Sequence, residues 1–198
     1  MGRPKNYDRD AALVASRDVF WEQGYEATSI ADLEHRTGMN RSSLYHEFGT
    51  KRDLFEAALE CYADGIISML MSGLRDEDAG LDAIVALFRR IGELFRGDAA
   101  VSMRGCLMVN TTAELAARDE RVRPAAAAYR NGLREDFAAA LTRAAAHGHI
   151  NPAAVEPRAQ LLASTLMGIW LSVRIDPADA SAVCETVANE VNSWRQQR

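Results

Sequence analysis

Proline is scarce in this chain, with 5 in 198 residues, and β-branched runs are rarer still. Few breakers combined with abundant alanine exclude a sandwich or barrel and favour helices. Cysteine is thin as well: Cys61, Cys106 and Cys184 are far apart and form no CxxC pair. That excludes a disulfide scaffold and points to a reducing, cytoplasmic setting. No long apolar run is present. The most apolar stretch, 161–173, is interrupted by Ser164, Thr165 and Ser172; it is too short for a bilayer and predicts a buried helix, with no membrane partner. The opening Met-Gly-Arg-Pro-Lys has no apolar core, so no signal peptide is expected.

Catalytic signatures are missing too. HExxH, GxSxG, a phosphate loop and clustered His/Cys ligands are all absent from the sequence, so no enzyme, metal or cofactor is expected. His147 and His149 flank Gly148 and read as a solvated turn rather than a metal pair. The net charge of −5 argues, as a sum, against nucleic acid. Its distribution argues otherwise. Residues 1–52 hold eight basic and eight acidic side chains, with the basic ones gathered at Arg3–Arg9 and at Arg41–Arg52. A focused positive surface does not require a basic protein.

Apolar residues make up 48% of the chain, enough for a real core. Caps and breakers divide it into about nine helices: 10–23, 29–36, 41–48, 51–70, 81–96, 103–117, 121–146, 156–174 and 177–196. Ser29 with Asp32, and Thr50 with Asp53, match capping boxes. The expected fold is all-α: a three-helix N-terminal domain over 1–52 and a C-terminal helical domain over 53–198.

The segment from Thr28 to Asp53 carries the functional signal. Two helices of about eight residues meet at the tight turn Thr37-Gly38-Met39. Ile30 and Leu33 point inward from the first, Leu44 and Phe48 from the second. This is helix-turn-helix anatomy, in which the outer face of the second helix is left to enter a major groove. That face carries Arg41, Ser42, Ser43, Tyr45 and His46, all able to bond bases or phosphates. Lys51 adds a charge at the start of the next helix, and Arg3 and Lys5 on the N-terminal tip are placed to reach an adjacent groove or backbone. The rival readings are a helical enzyme and an interaction module that does not touch DNA.

The run ASRDVFWEQGYEATSIADL, with its continuation TGMNRSSLYHEFGTKRDLF, resembles the TetR family of bacterial regulators over residues 8–60. The resemblance implies a dimeric regulator, usually a repressor, that binds a near-palindromic double-stranded operator. It also implies that Thr28 is a phosphate contact, that Tyr45 and His46 are recognition-helix contacts, and that Lys51 is the lysine opening the fourth helix. The helix beginning at Thr50 is then the lever by which a signal in the second domain releases DNA.

The rest of the chain matches that family in architecture alone. The helix over 156–174 is apolar nearly all round, which predicts burial on two faces. Leu161, Gly168 and Leu171, with Val183, Val187, Val191 and Trp194 on the last helix, are the expected homodimer face. The resemblance implies an effector pocket among the C-terminal helices. Phe95, Cys106, Asn110, Tyr129, Met167, Trp170 and Arg174 are its candidate lining, and the small-molecule effector is unnamed by the sequence. Cys106, with Arg104 nearby and a helix starting beside it, has the surroundings of a reactive thiol. Its Gly-Cys-Leu segment resembles one in TetR-type regulators, some of which sense electrophiles or oxidants.

Overall fold

A computed structural model describes residues 7–98 and 102–195. Among them every regular element is helical: α1 (Arg9–Gln23), α2 (Ile30–Thr37), α3 (Arg41–Phe48), α4 (Lys51–Tyr62), α5 (Ser68–Met71), α6 (Leu81–Phe95), α7 (Leu107–Leu115), α8 (Arg123–Ala146), α9 (Val155–Ser172) and α10 (Pro177–Ser193). A π turn over Ala63–Ile67 follows α4. The expected fourth helix, 51–70, is therefore α4, this turn and α5 in succession. No described helix is long and apolar enough to cross a membrane.

The caps explain where the N-terminal helices begin. Asp8 Oδ1 accepts from the amides of Asp10 and Ala11. Ser29 and Asp32 satisfy each other's backbone N–H groups, and so do Thr50 and Asp53. Asn40 Oδ1 accepts from Ser43 N at 2.9 Å and starts α3. Each such cap satisfies amides that a helix start otherwise leaves unbonded, and is worth about 1 kcal/mol.

The chain divides into two compact units between Ile67 and Ser68. The boundary expected at 52/53 falls inside α4, which packs against α1 in the first unit. Phe20 of α1 meets Phe55 of α4 edge-on at 5.0 Å, and Trp21 meets Tyr62 at 5.0 Å. Phe20, Leu33 and Phe55 are fully enclosed. Burying such side chains contributes up to about 3 kcal/mol each.

In the second unit α6 buries Leu81, Ile84, Phe88, Ile91 and Phe95, spaced three and four residues apart. It packs chiefly on α10, which offers the small residues Ala180, Ser181, Cys184 and Ala188. The approach is close: a Cβ on Gly92 would stand 3.2 Å from the Cys184 Cβ. Helix α8 packs on α9, and its Phe137 stacks with Phe88 at 6.0 Å. The Arg75 guanidinium forks onto Asp136 at 2.8 and 2.9 Å.

Helix α7 is shorter than the 103–117 expected. Gly105 has φ +66°, so the backbone turns there and the helix starts only at Leu107, with extended Cys106 as its N-cap. The last helix stops at Ser193, before the 196 expected.

Candidate nucleic-acid interface

Helix α3 is held by few residues. Leu44 and Phe48, one turn apart, are buried, and the preceding Met39 joins them. The turn between α2 and α3 closes at Gly38, whose φ of +69° lies in the left-handed region that glycine enters without steric cost. Thr37 Oγ1 donates to Leu33 O at 2.7 Å and accepts from Met39 N at 3.2 Å. Glu34 Oε1 accepts from Arg41 N at 2.5 Å, tying α2 to the first residue of α3.

The remaining face is open. Arg41, Ser42, Tyr45 and His46 are exposed, with Tyr45 at 37%, and Ser43 is half-buried. The Arg41 guanidinium lies 5.3 Å from the Tyr45 ring centroid, so the two largest side chains of this face share one site. Lys51 is half-buried, its Nζ 4.4 Å above the Tyr25 ring. These residues, expected from the sequence, stand on one short rod and at the start of the next helix. Arg3 and Lys5 lie outside the described residues.

Thr28 does not join them. It is only 1% exposed, and its hydroxyl donates inward to Gly24 O at 2.6 Å. A phosphate accepts hydrogen bonds and does not donate them, so a hydroxyl already spent on a carbonyl has nothing to offer it. The expected Thr28 side-chain contact is withdrawn.

The sequence pattern did not reveal one feature. Glu47 Oε2 accepts from the Tyr7 hydroxyl at 2.8 Å, and Glu47 Oε1 lies 3.3 Å from Arg9 Nε. Arg9 also sits 5.2 Å over the Phe48 ring. The signal for it is slight: an acid on a helix whose other polar residues suit DNA.

In the second unit, Phe95 and Trp170 meet edge-on at 5.1 Å, and Cys106 Sγ lies 3.5 Å from the Tyr129 hydroxyl. Asn110 Nδ2 donates to Arg104 O at 2.8 Å. Gly105 lies against Trp170 and Arg174. Trp170 Nε1 and Asn110 Oδ1 are buried with no hydrogen-bond partner. The candidate lining is thus largely one neighbourhood, with a spare donor and a spare acceptor; Met167 is half-buried and Arg174 exposed. Two clefts lie elsewhere. One of about 370 Å³ has Asp76, Asp78, Asp82, His147 and His149 among its walls. One of about 290 Å³ adjoins Leu70, Leu87 and Arg90. The His147 and His149 rings stack at 5.9 Å. Among the described residues no three His, Cys, Asp or Glu side chains are grouped to hold a metal ion.

Helix α9 has the two apolar sides its sequence requires. Leu162, Leu166, Ile169 and Val173 are buried, while Leu161 (56%), Gly168 and Leu171 (47%) are exposed. On α10, Val183, Val187 and Trp194 are half-buried, but Val191 is at 0% and belongs to the core of its own unit. Val191 is withdrawn from the expected dimer face, since a side chain with no exposed surface has none to present to a partner.

A two-helix reading unit on a helical N-terminal core, followed by a larger helical unit, defines a helix-turn-helix regulator. Residues 12–58 match the model of the bacterial regulatory proteins of the tetR family. Residues 80–182 match that of the tetracyclin repressor-like C-terminal domain. The chain belongs to the TetR family, whose members are transcriptional regulators, not enzymes. It is 32% identical over 76% of its length to YezE of Bacillus subtilis, an HTH-type transcriptional regulator, covering 77% of that protein. It is 39% identical over 58% of its length to the HTH-type transcriptional repressor ComR of Escherichia coli K12, and this match spans about half of that protein, 54%. A cysteine-substituted form of the TetR family regulator CifR, complexed with 26-base-pair double-strand operator DNA, shares the fold. The TM-score is 0.81 at 28% identity, covering 98% of this chain and 100% of CifR.

Proposed function

We propose that this chain is a cytoplasmic repressor that binds a near-palindromic operator as a homodimer and leaves it when its second unit receives a chemical signal. The observation that carries the reading is the open polar face of α3, with Arg41, Ser42, Tyr45 and His46 outward and Leu44 and Phe48 turned into the core. Arg41 suits guanine, the serines suit bases or phosphates, and Tyr45 suits a phosphate or a thymine methyl. Lys51 and the Arg3–Lys5 tip add phosphate contacts. The first unit is the DNA reader and the second the sensor and dimer former.

Dimerisation is supported by the uncovered side of α9, where Leu161, Gly168 and Leu171 line up, and by Val183, Val187 and Trp194 on α10. A symmetric pair of α3 helices about one DNA turn apart reads two half-sites. The signal is a small molecule or an electrophile that favours the state fitting DNA poorly. Phe95, Asn110, Tyr129, Met167, Trp170 and Arg174 are its candidate contacts. The spare donor on Trp170 and spare acceptor on Asn110 support a ligand with both a polar acceptor and a polar donor. Cys106, at the N-cap of α7, is the candidate for the electrophile alternative, but at 0% exposure it has to be uncovered before it can react.

Footprinting on the intergenic DNA beside the chain's own gene tests the reading. Protection of a two-fold site, abolished by Tyr45→Ala and weakened by added salt, is expected. Unaltered protection with Tyr45→Ala and Lys51→Ala overturns α3 as the reader. For the sensor, maleimide labelling no faster at Cys106 than at Cys61 and Cys184, with Cys106→Ser as control, removes the electrophile alternative.

A further inference from the structure

We propose that Tyr25 is a positioning residue for DNA binding: the face of its ring holds the Lys51 ammonium in place for a phosphate before DNA arrives. This inference rests on the reading of Lys51 as a phosphate contact.

Tyr25 stands on the turn between α1 and α2, just after Gly24 closes α1. Its ring leans on the core of the first unit, 4.7 Å from the Phe55 ring and 6.3 Å from that of Phe20. Both phenylalanines are enclosed. Two cations lie against the same ring, Lys51 Nζ at 4.4 Å from its centroid and the Arg52 guanidinium at 5.4 Å. They differ in what they can offer DNA. The Arg52 side chain is 8% exposed and its Nε donates to Glu56 Oε1 at 2.7 Å, so its charge is engaged within α4. Lys51 is half-buried and keeps access to solvent.

Two adjacent cations in this place need a support. Lys51 and Arg52 open α4, beside N-terminal amides whose partial charge is positive, and cations are disfavoured there. The negative face of an aromatic ring offsets that repulsion. The Lys51 charge is also felt at the start of α2. Asp32 is held below its ordinary value first by the Ser29 hydroxyl and backbone N–H, with smaller contributions from His35 and Lys51. The ammonium thus stands within electrostatic reach of two helix starts, and helix starts attract phosphate. A lysine on a flexible stem otherwise has rotamer freedom that binding must remove. Held over a ring wedged on two phenylalanines, Lys51 has given up that freedom in advance.

The test uses the full chain in two measurements. Without DNA, the side-chain protons of labelled lysine are followed by NMR; Lys5 and Lys51 are the only lysines, so few signals compete. The ring current at position 25 is expected to shift the Lys51 methylene next to Nζ upfield in wild type and in Tyr25→Phe, and to vanish in Tyr25→Leu. With DNA, binding to the duplex identified by footprinting is compared for wild type, Tyr25→Phe, Tyr25→Leu, Lys51→Ala and Tyr25→Leu combined with Lys51→Ala. Tyr25→Leu is expected to weaken binding by about 3- to 10-fold, the cost of ordering one long side chain on binding. Tyr25→Phe is expected to bind as wild type, and Tyr25→Leu to cost nothing further once Lys51 is replaced by alanine. Leucine keeps an apolar side chain at the turn, so a role in packing alone requires an equal loss with and without Lys51. Losses that multiply, wild-type binding by Tyr25→Leu, a loss in Tyr25→Phe equal to that in Tyr25→Leu, or an unshifted Lys51 in wild type overturns the proposal. Where thermal melting finds Tyr25→Leu unfolded, phenylalanine carrying one, two and three ring fluorines at position 25 decides. Each fluorine weakens the negative face at nearly constant shape, and affinity that does not fall in step overturns the proposal. Failure of wild type to bind duplex DNA, or wild-type affinity in Lys51→Ala, overturns the underlying reading of Lys51 instead, and leaves the ring-current shift in place.

Discussion

The backbone of Gly105 presses against the carbonyl of Trp170: a Cβ on Gly105 would stand 2.9 Å from that oxygen and 3.2 Å from the Arg174 side chain. The residue also sits at φ +66°, where a side chain is strained. Gly105→Ala therefore meets both a clash and an unfavourable backbone. It is expected to lower stability by about 1–3 kcal/mol in urea unfolding. A wild-type midpoint would mean that the 104–106 turn yields readily.

Helical spacing places both Leu171 and Val191 on the dimer face, but the first is 47% exposed and the second fully buried. Leu171→Asp is expected to leave the protomer folded, since surface changes move stability by only about 0.5 kcal/mol, and to produce monomers in sedimentation. Val191→Ala is expected to destabilise by on the order of 2 kcal/mol through the cavity it leaves. Dimers that persist with Leu171→Asp would remove this part of α9 from the interface.

Burial pushes the Cys184 thiol up to about 12, with Arg96 pulling weakly the other way. The thiol therefore stays neutral in the folded chain well above neutrality. Since thiolate is the reactive form, maleimide is expected to label half-buried Cys61 before Cys184, and Cys184 only after unfolding. An unfolded thiol ionises from about 9 upward while the folded one resists, so this contribution to stability is present below pH 9 and lost between about 9 and 12. Alkaline melting of Cys184→Ala is expected to be flatter over that window.

Asp32 is held below its ordinary value of 3.8, first by the Ser29 hydroxyl and then by the Ser29 backbone N–H. The folded state favours its charged form, so the cap is present above that value and is lost as pH falls through the lowered one. Ser29→Ala is expected to return the Asp32 titration towards 3.8, read by NMR. An unmoved titration would assign the shift to another cause.

Much of the N-terminal unit is legible in the sequence because its signals are local. The Leu44–Phe48 spacing, the caps at Ser29, Asn40 and Thr50, and the breaker at Gly38 each act within a few residues. Depth is less legible than face. Period assigns Val191 to an apolar stripe, but only the packing of α10 on α6 determines that it is enclosed. Thr28 fails similarly, its hydroxyl being taken by Gly24, a carbonyl that sequence spacing does not single out. The hydrogen bond from Tyr7 to Glu47 joins residues 40 apart and leaves almost no local trace. The turn at Gly105 shortens α7 because an isolated glycine inside a helical pattern reads either as tolerated or as a break.

Helix α3 commits two of its eight residues, Leu44 and Phe48, to the core, while Arg41, Ser42, Tyr45 and His46 lie open. Its outward residues can therefore change together without passing through unfolded intermediates. After a gene duplication, two copies of such a chain can diverge in the sites they address while each keeps the same architecture, and retargeting by swapping these few side chains is open to the engineer for the same reason.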